Sequence, residues 1–233
     1  MAKHRTSESG NSVLEFALVA SFLVPMFAAA FTLGMMLVKG IQVGNVCRDA
    51  DVLFVRSVTD PKSGLDLSKT YNQAIIVRAA QGLGMKAASA SNPDPYNADP
   101  NGKGVVILTR IIHVKDNTCS NGNPAGKAPW STANCPNYDS YVFGSSIVIG
   151  NGTTFASKFG TPPTGVTLTA GNYAASDIAN TTSLQIPNPA KFKGILTLQD
   201  DSYALISEMF ADISSINLFS IMSTPTLYSW NMS

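Results

Sequence analysis

One acidic residue sits inside the longest apolar stretch of this chain, and its position constrains what the rest can be. Between Val13 and Val38, Glu15 is the only ionisable side chain. As a helix rising ~1.5 Å per residue, these roughly 26 residues reach about 39 Å, more than the ~30 Å hydrocarbon core of a bilayer. Insertion scales put an acidic residue at the centre of such a helix at roughly 2.5 to 3.5 kcal/mol, and less near an end. A carboxylate kept one turn inside a membrane-length run therefore needs a partner.

A cut after Gly10 would provide one. Asn11 would carry a free α-amino group, and Glu15 would become the fifth residue of the mature chain. Cation and carboxylate would then lie one turn apart at the same depth. Within one helix Glu15 is also close to the positive end of the dipole, which favours an anion. Between helices, the carboxylate of one could neutralise the amine of the next and set an axial stagger. Charges that penalise a lone helix in lipid would then reward stacking.

A short polar leader ending in Ser9-Gly10, the Glu15-Phe16 pair and Pro25 in mid-run together resemble the class III leader of type IV pilin-like proteins. The closest likeness is to the Tad (tight adherence) pseudopilins of TadE and TadG type. The resemblance implies that Gly10 and Asn11 form a processing site for a prepilin peptidase on the cytoplasmic side. It implies Glu15 as the charge-pairing residue of assembly and Phe16 as its packing neighbour. It also implies other pilins or pseudopilins and the inner-membrane Tad assembly platform as partners. The protein would be a single-pass bacterial inner-membrane protein, with a cytoplasmic N-terminus, a periplasmic domain and a structural role in a pilus.

Two other origins of the apolar run are open. Lys3, His4 and Arg5 form a basic start and Ala28-Ala29-Ala30 offers a signal-peptidase site, but the run continues to Val38, well past the ~7 to 15 residues usual for a secretory signal. The chain would then be a secreted binding protein; left uncut, it would be a membrane-anchored extracytoplasmic protein unrelated to pili. Loop charge does not fix the orientation, since Lys3 and Arg5 precede the run and Lys39 and Arg48 follow it.

Behind the run, roughly 175 residues suffice for one globular domain. The net charge of +1 and the 13% charged residues exclude the clustered Lys and Arg of a nucleic-acid surface. Of the 3 cysteines, Cys119 and Cys135 lie in one segment rich in Asn, Gly, Pro and Ser. A disulfide there would close a loop worth about 3 kcal/mol and place the domain in an oxidising compartment; two unpaired loop thiols are the alternative. Zinc is disfavoured because only His4 and His113 could join them. Cys47 reads as a small buried apolar residue.

The helical pattern continues past Val38, with Val43, Val46, Cys47, Ala50, Leu53 and Phe54 recurring every three or four residues. This predicts one long helix over 11–58, spanning the membrane over 13–38 and kinked at Pro25; a break near Lys39-Gly40 is the alternative. Domain 59–233 is expected to be α+β, an antiparallel sheet of three to five strands with one or two further helices. Asp60-Pro61 predicts a stop, and Asp66 or Ser68 predicts a second helix through Leu83. Ala87 to Gly104 is a predicted loop, whose faint calcium-loop pattern lacks the closing Glu. Strands are expected at Val105 to Val114, Tyr141 to Ile149, Gly194 to Leu198, Tyr203 to Phe210 and Thr226 to Trp230, with Asp200-Asp201 as a turn. Ser183 to Ile186 is a candidate short strand, and Leu218 to Met222 a candidate contact patch or core segment.

The Tad resemblance extends, more weakly, to Ile149-Gly150-Asn151, to Ser157, Phe159-Gly160 and Pro162, and to the late strand carrying Glu208 between apolar residues. Asn151, Asn180 and Asn231 begin N-glycosylation patterns, which matter only in a eukaryotic secreted chain. No nucleophile elbow, paired-His zinc motif or phosphate loop is present. His113, between two strand residues, reads as a packed side chain. The sequence is therefore that of a non-enzyme with no implied cofactor or metal.

Overall fold

The computed structural model describes residues 8–59, 66–85, 98–214 and 226–233. The expected stop at Asp60-Pro61, most of the loop before Gly104 and the Leu218 to Met222 patch lie outside them. The architecture is α+β. Helix α1 (Glu8–Thr59) is 52 residues long and continues unbroken through Pro25 and through Lys39-Gly40. There follow α2 (Thr70–Ala79) with a 3-10 turn at Gln81–Leu83, β1 (Gly104–His113), α3 (Asp116–Gly122) and β2 (Tyr141–Gly150). The remainder comprises β3 (Leu168–Thr169), β4 (Asn172–Tyr173), α4 (Ala175–Asn180), α5 (Pro189–Lys193), β5 (Tyr203–Asp212) and β6 (Thr226–Met232).

The strands form one six-stranded sheet in the order β3-β4-β2-β1-β5-β6, every pairing antiparallel. This is one strand more than the widest sheet expected, because the hairpin β3–β4 adds to the outer side of β2. Both neighbours of β1 run its whole length, with Ile107 opposite Val148 on one side and Glu208 on the other. A strand paired on both edges and covered on both faces must be apolar nearly throughout, which explains the run from Val105 to Ile112.

The two faces have different covers. On one, Val43, Val46, Cys47, Ala50 and Phe54 of α1 pack with Val106, Leu108, Ile149, Leu205 and Met209, joined by Ile76 and Val77 of α2. Ser207 Oγ–H donates to the Cys47 carbonyl at 2.9 Å, and Cys47 Sγ lies 3.3 Å from the Ser207 carbonyl. Cys47 is thus buried as expected, and burial pushes its thiol pKa up. Asp51, 3% exposed, accepts from Asn231 Nδ2 at 2.8 Å and Ser233 Oγ at 3.2 Å, which ties the C-terminal strand to the helix. On the opposite face, Ile111, Tyr141, Phe143, Ile178, Leu184, Phe192 and Ile206 build a second core.

That second core contains the disulfide. Cys119 and Cys135 are bonded and fully buried, with Cα atoms 5.8 Å apart, and they join α3 to the segment leading into β2. Helix α3 occupies part of what reads as a loop in sequence. Its first turn is capped from far away: the Asp201 carboxylate accepts the N–H groups of Lys115, Asn117 and Thr118 at 2.8 to 3.1 Å. His113 stacks on Tyr141 with ring centroids 4.7 Å apart, and its Nε2 lies 3.1 Å from Asp139.

Three expectations need correction. Gly194 to Leu198 is not a strand but a turn and an extended segment after α5. Both edges of β5 are already taken by β1 and β6, so no edge is left for a hairpin partner. Four further α-helices are present among the described residues rather than one or two, three of them of seven residues or fewer. Ser183 to Ile186 is mostly a 3-10 turn, with only Gln185 bridging to Val142.

At the far end of the β1–β2 pair, Gly150 has φ +102°, and a Cβ there would lie 2.4 Å from the Gly104 carbonyl oxygen. The next residue locks the corner: Asn151 donates from N to the Gly104 carbonyl and from Nδ2 to the Gly102 carbonyl. Its Oδ1 accepts from Thr153 Oγ1 and Thr154 N. The Ile-Gly-Asn ending is thus a strand clasp, and Asn151 spends its amide internally. Gly150→Ala is expected to destabilise the domain by about 2 kcal/mol or more through the φ and the clash. Cys119→Ser with Cys135→Ser is expected to lose about 3 kcal/mol. Urea unfolding of the full chain in nanodiscs, followed by tryptophan fluorescence, measures both.

Candidate assembly and anchoring site

Helix α1 is shared between two environments. From Val43 onward its residues enter the core, whereas Val13, Leu14, Phe16, Leu18, Phe22, Met26, Phe27, Phe31 and Leu37 stand 59% to 73% exposed. Only 6% of the most apolar window, whose mean hydropathy is 2.2, is covered by the rest of the protein. At roughly 25 cal/mol per Å² of apolar surface, such a rod requires a lipid or protein cover. It is the one helix among the described residues long and apolar enough to cross a membrane.

Glu15 and Phe16 are exposed on this bare half, Phe16 at 73%. Gly10 and Asn11 lie in the first turns of the same helix. A helix places residues four apart on one face, and Asn11 and Glu15 are four apart within α1. A chain starting at Asn11 would begin at the helix end, where unsatisfied N–H groups and the dipole already favour an anion. Pro25 has no N–H, so the Ser21 carbonyl has no donor four residues on; Ser21 Oγ–H itself donates to the Leu18 carbonyl at 2.7 Å.

The bare half meets the domain at a defined point. The Lys39 ammonium donates to the Gly82 carbonyl, in the middle of the 3-10 turn after α2. Lys103 lines the same hollow, with Met35, Leu83 and Ile213. Two ammonium groups therefore mark the junction, where a helix leaving lipid would meet anionic headgroups and water.

No protein-family model, curated protein or solved structure matches the chain. Its reading rests on its own geometry.

Glu208, which the sequence places between apolar residues of a strand, centres a network. Fully buried in β5, it accepts from Lys158 N at 2.9 Å, from Tyr228 O–H at 2.9 Å and from Ser157 O–H. Ser157 Oγ also accepts the Phe159 N–H at 3.1 Å. Phe155 stacks on Phe210, and Phe159 meets Trp230 edge-on. Two segments noted separately in the sequence, Ser157 to Pro162 and the strand around Glu208, therefore touch. The carboxylate holds the 155–159 loop over the sheet and fixes β6 through Tyr228. The available signal was an acidic residue alternating with apolar ones, which in a doubly covered strand must find internal donors.

Burial, and then the Glu208 charge, raise the Tyr228 hydroxyl above its ordinary pKa of 10.0. A group that holds its proton more tightly when folded stabilises fully below its unfolded pKa and loses that stability as pH rises beyond it. Tyr228→Phe is therefore expected to flatten the fall in stability above about pH 10 while losing about 1 kcal/mol at neutral pH. Glu208→Ala leaves three donors without their acceptor and is expected to lose about 2 to 4 kcal/mol. Urea unfolding at several pH values, read from Trp230 beside the loop, checks both.

Proposed function

We propose that the chain is a TadE-like pseudopilin, a minor pilin that joins or primes a Tad-type pilus. In this reading it sits in a bacterial inner membrane with its N-terminus cytoplasmic. The observation that carries it is the single helix, half built into the domain's core and half bare, with Glu15 and a Gly10-Asn11 step at the free end. An anchor joined by a linker would not transmit position to the domain. An unbroken helix does, so the stagger of neighbouring helices would set the spacing of their domains.

A prepilin peptidase would hydrolyse the Gly10–Asn11 amide, releasing the leader with a terminal carboxylate and leaving an ammonium on Asn11. That ammonium offsets Glu15, whose carboxylate otherwise costs up to roughly 2.5 to 3.5 kcal/mol in lipid. Pairing with a neighbour's amine lowers that cost only in the assembled state and so favours assembly. The disulfide suits an oxidising compartment outside the cytoplasm. Lys3 and Arg5 would remain on the cytoplasmic side with the leader.

N-terminal sequencing of protein recovered from membranes of its own host is expected to read Asn11 first. A start near Phe31 would assign a secreted protein, and an intact Met1 or Ala2 an uncleaved anchor; either result rejects the proposal. Glu15→Ala is expected to insert normally and to retain a folded, disulfide-bonded domain. Its crosslinking to co-expressed pilins should fall by about tenfold or more, consistent with losing a charge-assisted contact.

A further inference from the structure

A cavity of about 370 Å³ opens where the last turns of α1, the residues before α2 and the middle of β1 and β2 converge. It lies at the end of α1 remote from the bare apolar half. Phe54, Leu67 and Ile147 form apolar walls, and Asp66, Arg110 and Ser145 bring polar groups to it.

The cavity depends on a break in the sheet. Register between β1 and β2 shifts after Arg110, so Gly144 has no single opposite residue. A Cβ at Gly144 would lie 2.8 Å from Arg110 Nε and 2.4 Å from Ile112 Cδ1. The glycine thus lets the guanidinium lie against the strand, where Nη2 donates to the Gly144 carbonyl at 3.2 Å. Nε is buried without a hydrogen-bond partner. Ser145 Oγ is also buried without one, in a residue 1% exposed.

Among the described residues no carboxylate forms an ion pair with Arg110. The nearest acidic group on the cavity wall, Asp66, accepts the Ser68 N–H at 2.9 Å. A half-buried guanidinium whose buried Nε–H has no acceptor, beside a buried hydroxyl that lacks a partner, carries a desolvation cost that an anion would offset. Burial indeed lowers the guanidinium's pKa from its ordinary value.

We propose that this cavity binds a small ligand carrying a carboxylate on an apolar body. The carboxylate takes Arg110 Nε–H and the Ser145 hydroxyl once these two groups, both closed to solvent in this structure, turn toward the cavity, and the body packs on Phe54, Leu67 and Ile147. A guanidinium edge matches the planar carboxylate. A phosphate dianion fits less well, because a single cation faces it and Asp66 shares the wall. The volume, near the lower end of the ~300 to 1,000 Å³ of small-molecule sites, limits the ligand to one small acid or one terminal residue of a peptide. The inference rests on the domain alone and is independent of the assembly role.

Calorimetric titration of the full chain in nanodiscs tests it with four probes: N-acetyl-leucine, its neutral amide, the tripeptide Ala-Ala-Leu with a free C-terminus, and inorganic phosphate. The acid is expected to bind saturably and the amide at least about tenfold more weakly. Arg110→Met should abolish binding of the acid. Ser145→Ala, which removes one oxygen and keeps the fold, should weaken it about three- to tenfold. Binding of the tripeptide as well assigns the site to a chain terminus, and binding of the acid alone to a free small acid. No saturable binding, equal affinity for acid and amide, a preference for phosphate, or an unchanged affinity in Ser145→Ala overturns the proposal.

Discussion

The seating of α1 on the sheet is the contact on which the rest of the structure depends. Val43, Val46, Cys47, Ala50 and Phe54 fill one face of β1, β2 and β5. The Ser207 hydroxyl fixes the helix's height on that face by bonding to the Cys47 carbonyl. Because α1 has no break at Lys39-Gly40, its bare half projects from the domain as a rod rather than hanging from a linker. Its direction is set by the sheet and its surface by its sequence. The apolar half and the folded domain are therefore joined by one continuous helix.

Seating a helix on one face obliges the chain to cover the other. Strands β1 and β5 are apolar on both sides, so the far face needs a cover of its own. It is assembled from short helices and loops rather than from a second long element. Such covers contribute little regular backbone hydrogen bonding and must be fixed point by point. The disulfide fixes α3, Asp201 caps it, Asn151 locks the β1–β2 corner, and Glu208 holds the 155–159 loop. Each fastening joins residues distant in sequence, or a turn that only glycine can make.

This explains what could be read from the residues and what could not. The long helix, β1, β2, β5 and β6 follow from periodicity, because each carries its signal locally in apolar spacing. The buried Cys47 and the Asp200-Asp201 turn follow too, and the cysteine pairing was one of two open readings. Helix α3 is illegible because its cap comes from Asp201, more than 80 positions away. Gly194 to Leu198 has the alternation of a strand, but Leu196 and Leu198 join the second core beside Phe192, and no free strand edge is there to receive them. The Glu208 network and the Arg110 cavity needed the register of β1 against both neighbours, which no local pattern encodes.

Glu208 within the fold, and Glu15 in the proposed lipid setting, pose the same physical problem in different solvents. A carboxylate removed from water must find donors or lose its charge. Glu208 meets this within the fold, with three donors from the 155–159 loop and β6, and so fastens both to the sheet. Glu15 lies on the half of α1 that the domain does not cover, and the groups one turn away on its own helix belong to the first turns of α1. In an uncut chain those include backbone N–H groups of the helix. After the proposed cut they include a full positive charge, at the same depth as the corresponding carboxylate of an adjacent helix. A buried carboxylate that is satisfied internally closes a fold. In the proposed reading, an ammonium created by proteolysis and shared between molecules would make assembly conditional on processing.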